Sequence, residues 1–175
     1  MTGTPLRIRP ATPGDADAVA GLHRRARATY YRGHVPDAEL DGPAEVLRWH
    51  TAWGRAIAGG ERTVLCAVRD GRVTAVASFG NPGAEEPGTV LLYQFHTDPG
   101  HWRQGIGGAL HDACTAAWRE AGAGAARLEV YRHNLRARAF YERHGWQPEP
   151  PPAPGGTHLR MRLELPDGPG AETME

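Results

Sequence analysis

Between Trp102 and Ala109 the chain reads Trp-Arg-Gln-Gly-Ile-Gly-Gly-Ala, with Gly105, Gly107 and Gly108 at the point where an amphipathic helix has to begin. Glycine inside a helix costs about 1 kcal/mol relative to alanine, so glycines here call for a reason. The first backbone N–H groups of a helix have no partner within it, and the helix dipole adds partial positive charge at the same end. Glycines remove the side chains that would hold a bulky anion away from those groups. A strand, a glycine-rich turn and a helix therefore make a cradle for phosphate. Arg103 and Gln104 stand at its lip, where they can meet phosphate oxygens, and the backbone of Gly105, Ile106, Gly107 and Gly108 forms its floor. Glycines that only let the helix pack closely are the alternative.

The other chemistries these residue types permit fit less well. A Walker loop ends in Gly-Lys-Ser/Thr, and all 20 basic side chains counted as Lys or Arg are Arg. A dinucleotide fingerprint puts its glycines after the first strand with an acid about 20 residues on, and here they follow a late strand. Among the 9 histidines, His96, His101 and His111 are near in sequence but lack zinc-ligand spacing and a thiolate partner, so no metal site is expected. Cys66 and Cys114 sit far apart in apolar stretches and read as small buried hydrophobes.

These residues need a scaffold. "LRIRP" from Leu6 alternates as a short strand. Asp15 or Asp17 starts a helix with Ala18, Val19, Leu22, Ala26 and Tyr30 at helical spacing. The loop "RGHVPDAELDGP" leads to a second helix from about Ala44 to Ala58, on which Trp49 and Trp53 lie one turn apart and read as core contacts. Asp70-Gly71 between two β-branched runs marks a hairpin. "TVLLYQFHT" is a strand, Gly105 to Ala121 a helix and "AARLEVY" a strand. Asn134 caps a helix that Gly145 stops, and "THLRMRLEL" is a last strand. The order predicts a three-layer α/β domain, its sheet mixed and mostly antiparallel, with at least one parallel pair and helices on both faces.

The 175 residues read as one domain over 1–165 with a flexible tail over 166–175. Twenty acidic side chains balance twenty basic ones, giving no net field toward nucleic acid or a membrane surface. With no signal peptide and no membrane span in the sequence, a cytoplasmic protein is expected.

The sequence resembles the GNAT family of N-acetyltransferases. The family's pyrophosphate motif, Gln/Arg-x-x-Gly-x-Gly/Ala, lies on Gln104 to Ala109 without departure, or on Trp102 to Gly107 with one at its first position. A second motif appears as Asn134, Ala137, Phe140, Tyr141, Glu142, Gly145 and Trp146, and "IRPATPGD" is similar to the family's opening. The resemblance spans about Leu6 to Leu165. It implies acetyl-coenzyme A as co-substrate, without a metal, wedged between two parallel strands that splay apart. It also implies pantetheine pairing along the backbone of Phe95, His96 and Thr97, a cofactor contact from Asn134, and Tyr141 as general acid. The implied reaction moves an acetyl group to a primary amine; a small molecule is the expected acceptor, with a peptide N-terminus and a protein Lys left open, and a homodimer is common for this fold by analogy. Many relatives carry a Glu on the strand before the phosphate loop to deprotonate the amine; Leu91 stands there, leaving Glu129, His96, water or a substrate already partly neutral as the alternatives. That departure keeps open a non-catalytic acyl-CoA-binding sensor or interaction module. The acceptor site implied by the family is built from the first two helices, their connecting loop "TYYRGHVPDAELDGP" and the loop between the last strands, "QPEPPPAPGG". There Tyr30, Tyr31 and Trp49 could shape a pocket, and Asp37, Glu39, Asp41 and Glu45 could favour a cation or simply be a solvated face.

Overall fold

The computed structural model describes residues 3–81, 86–150 and 154–166, so the tail read as flexible lies outside the described residues from position 167 on. Seven strands, β1 (Arg7–Pro10), β2 (Thr63–Arg69), β3 (Arg72–Gly80), β4 (Thr89–Thr97), β5 (Ala125–Tyr131), β6 (Gln147–Glu149) and β7 (His158–Glu164), form one sheet in the order β1-β2-β3-β4-β5-β7-β6. Among the described residues, five α-helices accompany them: α1 (Ala16–Tyr31), α2 (Ala38–Asp41), α3 (Pro43–Ala58), α4 (Ile106–Glu120) and α5 (Leu135–Arg143). The sheet is mostly antiparallel, and β4 and β5 supply the expected parallel pair. Contacts divide the chain into two compact units, one of Met1–Gly80 with Gln94–Cys114 and one of Asn81–Tyr93 with Thr115–Glu175.

In the first unit the hairpin turns where the sequence placed it. Asp70 and Gly71 have φ of 51° and 73°, the pair of positive values that a type I′ turn requires. β2 and β3 then pair from Arg69↔Arg72 to Thr63↔Phe79. Val19 and Leu22 of α1 and Trp53 of α3 bury their side chains against Val64, Cys66 and Val76 of these strands. On the end of β4, successive side chains point to opposite faces. The His96 ring stacks on His23 of α1 at 4.3 Å, and the Phe95 ring meets His111 of α4 edge-on at 6.3 Å. Within this unit, α1 and the start of α4 therefore cover opposite faces of the strand. The expected loop before α3 contains one extra element, the single-turn α2, held by its buried Leu40.

The entry to α1 is fixed by Asp15, whose carboxylate accepts from Arg9 at 2.7 and 3.0 Å and from the Thr12 N–H at 2.7 Å. The Arg9 guanidinium, together with the Thr12 hydrogen bonds, holds that carboxyl down at about 2, from an ordinary 3.8. A depressed acid stabilises the fold above its unfolded pKa, and that stability is lost as pH falls through the folded value. Asp15→Asn is expected to cost about 2 kcal/mol near neutral pH. Urea unfolding of the two proteins at a series of pH values should show the difference shrinking as pH drops below about 4.

In the second unit β5 pairs antiparallel with β7 along its whole length, from Ala125↔Glu164 to Tyr131↔His158. Ala126, Leu128 and Val130 bury one face of β5, and Arg127 and Glu129 alternate on the other. Trp118 and Trp146 meet edge-on at 6.2 Å in the core of this unit, and a Cβ added at Gly145 would lie 3.4 Å from Leu163.

Candidate functional site

The first unit builds the cradle from the end of β4 and the start of α4. Asp98 ends the strand by donating its N–H to Thr74 O at 2.9 Å, and its carboxylate accepts from Gly100 N at 3.1 Å and from Arg25 at 2.6 Å. Trp102 then sends its indole N–H to Thr97 O at 3.2 Å, which folds the loop back on the strand. Arg103 and Gly105 take φ of 61° and 75°; for arginine this left-handed conformation carries a steric cost that glycine avoids. Both lie exposed with Gln104 between them, and a Cβ added at Gly105 would meet nothing within 4 Å. The first helical bond of α4 runs from Ala109 N to Gly105 O at 3.1 Å. Helix geometry therefore directs the N–H groups of Ile106, Gly107 and Gly108 forward out of the helix start. These are the N–H groups that the sequence assigns to a phosphate.

Gln104 is oriented by a residue that the sequence reading missed. Its Oε1 accepts from Arg69 at 3.1 Å, which brings a guanidinium from the end of β2 beside the cradle. No local pattern links positions so far apart in the chain; the link exists only once the hairpin is folded.

The strand before the cradle carries the second part. Parallel pairing between β4 and β5 runs from Thr89↔Ala125 to Leu92↔Leu128, although β4 continues to Thr97 and β5 to Tyr131. Phe95, His96 and Thr97 follow that paired stretch at the end of β4. Thr97 O already receives the Trp102 indole. His96 donates or accepts through Nε2 with Gln94 Oε1 at 2.7 Å, and burial, together with the nearby Arg27 charge, pushes it down to about 3. An imidazole so reluctant to take a proton is poorly suited to the role of base.

The second unit holds Asn134, Tyr141 and the two remaining positions singled out. Asn134 Oδ1 accepts from Ala137 N at 3.2 Å, so it does cap α5. Tyr141 is buried on α5, its ring 5.6 Å from Phe140 and 5.7 Å from Trp146. Leu91 lies opposite Arg127 in the parallel ladder, and Arg127 is gripped by Glu149 at 2.8 Å and by Glu86. Glu129 lies 3.4 Å from Arg160.

Around α1 and α3, the acids that could favour a cation or be a solvated face are partly paired with arginines. Asp37 and Asp41 pair with Arg32 at 3.1 and 2.9 Å. Glu45 accepts from the Trp49 indole at 3.2 Å and from Arg48 at 3.3 Å. Trp53 is core, as expected, and donates to His23 Nδ1 at 3.0 Å. Trp49 instead stays half-buried, 4.4 Å from the His23 ring. Both cysteines are free and buried, and burial pushes each thiol up to about 12. Among the described residues, no group of three or more His, Cys, Asp or Glu could hold a metal ion, and no helix is long and apolar enough to cross a membrane.

The sequence profile described as the acetyltransferase (GNAT) family matches residues 23–146. Solved structures agree in fold. An N-acetyltransferase, PaiA, from Thermoplasma acidophilum in complex with coenzyme A is 16% identical, with a TM-score of 0.75 over 92% of this chain and 99% of that one. The ribosomal-protein-S18-alanine N-acetyltransferase from Escherichia coli is 20% identical, with a TM-score of 0.71 over 98% and 99%. An acetyltransferase from Thermus thermophilus is 18% identical, with a TM-score of 0.73 over 94% and 100%. No curated protein sequence gives a significant match.

Proposed function

The chain belongs to the GNAT acetyltransferase family, and from that premise we propose that it transfers the acetyl group of acetyl-coenzyme A to the primary amine of a small molecule in the cytoplasm. The observation that carries this reading is the exposed turn of Arg103, Gln104 and Gly105 that leads from the end of β4 into the glycine-led start of α4. In it, the N–H groups of Ile106, Gly107 and Gly108 take the diphosphate, with Arg103 and Gln104 at the lip. The backbone of Phe95, His96 and Thr97 pairs with the pantetheine arm as an added strand would. Asn134 contributes a further polar contact beside its capping bond.

Bound acetyl-coenzyme A supplies an activated thioester with a good leaving group. The chain's part is to align the thioester with the amine, to donate a backbone N–H from the end of β4 to the oxygen that gains charge, and to protonate the departing sulfur from the Tyr141 hydroxyl. The amine must arrive neutral. With Leu91 where relatives carry Glu, His96 pushed down to about 3 and Glu129 set against Arg160 at 3.4 Å, deprotonation falls to water or to the acceptor's own equilibrium.

Leu91 also favours a second reading, a binding module for acyl-coenzyme A without turnover. Acetyl-coenzyme A consumption, followed by chromatography against amines, polyamines and peptides, separates the two. We expect turnover with at least one class of small amine and free coenzyme A released in equal amount. Tight binding with no turnover on any acceptor would move the assignment to the module.

A further inference from the structure

Arg27 is the residue of the first unit whose surroundings are least explained by packing alone. It leaves α1 with 17% of its side chain exposed, and its guanidinium lies 5.0 Å from the centre of the Tyr31 ring and 5.1 Å from that of Trp49. Its carboxylate neighbour is Glu45, at 3.8 Å. That separation is outside hydrogen-bond distance, whereas an Arg–carboxylate pair that fastens two helices closes to about 2.8 Å. Glu45 is turned elsewhere: it receives the Trp49 indole at 3.2 Å and Arg48 at 3.3 Å. The two rings flank Arg27, and its N–H fork gets a carboxylate only at a distance.

Arg27 and Arg48 share one carboxylate, that of Glu45, with the Arg48 side chain largely exposed to water. His23 and His96, stacked beside them at 4.3 Å, are held neutral by burial, and the His23 Nδ1 lone pair is taken by Trp53. Tyr30 is likewise held in its neutral form by burial. The Arg27 guanidinium is thus partly buried and ring-flanked, with its carboxylate neighbour at 3.8 Å. A planar anion that accepts from the fork in the guanidinium plane would add the short charge-assisted bonds that Glu45 does not make at that distance.

We propose that Arg27 is an anion-binding residue of the acceptor site, and that the acceptor amine also bears a carboxylate. A carboxylate matches the planar fork with two coplanar oxygens; a phosphate monoester would bring up to about two charges to a single guanidinium. The proposal rests on the acetyltransferase reading and deepens it by naming the acceptor as an amino acid or a related amino carboxylic acid.

The test uses matched pairs of amines, each as the free acid and as its carboxamide: glycine, β-alanine, phenylalanine and glutamate. Acetyl-coenzyme A binding is first measured by calorimetry on every protein sample. The pairs are then compared as acceptors, and their N-acetyl products are titrated against the protein in the presence of coenzyme A. We expect at least one acid to be preferred over its amide about 10- to 100-fold, the range of hydrogen bonds to a charged group. Arg27→Gln should erase that preference by raising KM for the acid with kcat within about threefold, and should leave the amide unchanged. Arg27→Lys, which keeps the charge without the fork, should retain part of the preference. Equal treatment of acids and amides by the wild type overturns the proposal, as does a preference that survives in Arg27→Gln. Failure of every acid to bind or react overturns it too. In that case acetyl-coenzyme A binding on the same samples decides separately whether the family reading of the cradle stands.

Discussion

Gly107→Glu is expected to reduce coenzyme A affinity by at least about 100-fold while leaving the protein folded. The reasoning starts from what a carboxylate does at a helix start. Inside the first turn of α4 (Ile106–Glu120) an acidic side chain interacts favourably with the helix dipole, so the unliganded protein should lose little stability. The same side chain occupies the space in front of the N–H groups and opposes a diphosphate by like-charge repulsion. Hydrogen bonds to a charged acceptor contribute about 1.5–3 kcal/mol each, so losing two of them accounts for the expected factor. Gly107→Gln separates bulk from charge: it should weaken binding less than Gly107→Glu, and raising the salt concentration should narrow the gap. Calorimetric titration with coenzyme A and a thermal melt of each variant suffice. Unaltered affinity in Gly107→Glu would remove the phosphate role from the start of α4.

The parts of this fold that could be read in the sequence are those written by local physics. Asp70-Gly71 announces its turn because few other residue pairs accept two consecutive positive φ values. "TVLLYQFHT" is β4 to the residue, bounded by Gly88 before it and Asp98-Pro99 after it. Asn134 caps α5 as expected, since the cap is made with a neighbour three positions on. Single-turn α2 was hidden because a helix of four residues has no periodicity to detect, and Leu40 holds it in place through burial in the fold.

The candidate site divides along the same line. Its glycines are legible because backbone exposure is a property of residue type. Its electrostatics are not, because they depend on which side chains from different elements face one another. Four acids near α2 and α3 left a cation site and a solvated face both open in the sequence; the fold pairs Asp37 and Asp41 with Arg32 and turns Glu45 toward Trp49 and Arg48. Arg69 reached Gln104, and Arg27 came to lie between two rings, through contacts that no spacing rule predicts. The missing Glu was visible in the sequence at Leu91. That this position lies opposite Arg127, itself tied to Glu86 and Glu149, was not.

Tyr141→Phe is the second large effect expected. The substitution removes one hydroxyl and keeps the ring that packs against Phe140 and Trp146. If Tyr141 protonates the leaving thiolate, turnover should fall about 10²- to 10⁴-fold, the contribution typical of a positioned general acid. Coenzyme A affinity should stay within about twofold, because in this reading the cradle of Gln104 to Gly108 and the β4 backbone hold the cofactor without that hydroxyl. The alternative is concrete, since a buried aromatic of a helix facing a tryptophan is also what a core needs. Were the ring the whole of its role, Tyr141→Phe would be nearly silent in turnover, while Tyr141→Ala would cost about 3–5 kcal/mol as a cavity. Thiol-independent chromatography of free coenzyme A with a reactive acceptor, beside urea melts of wild type, Tyr141→Phe and Tyr141→Ala, reads the two roles on separate axes. Loss of turnover at unchanged stability in Tyr141→Phe assigns the hydroxyl to chemistry; unchanged turnover leaves Tyr141 to the core and makes water the proton source for the thiolate.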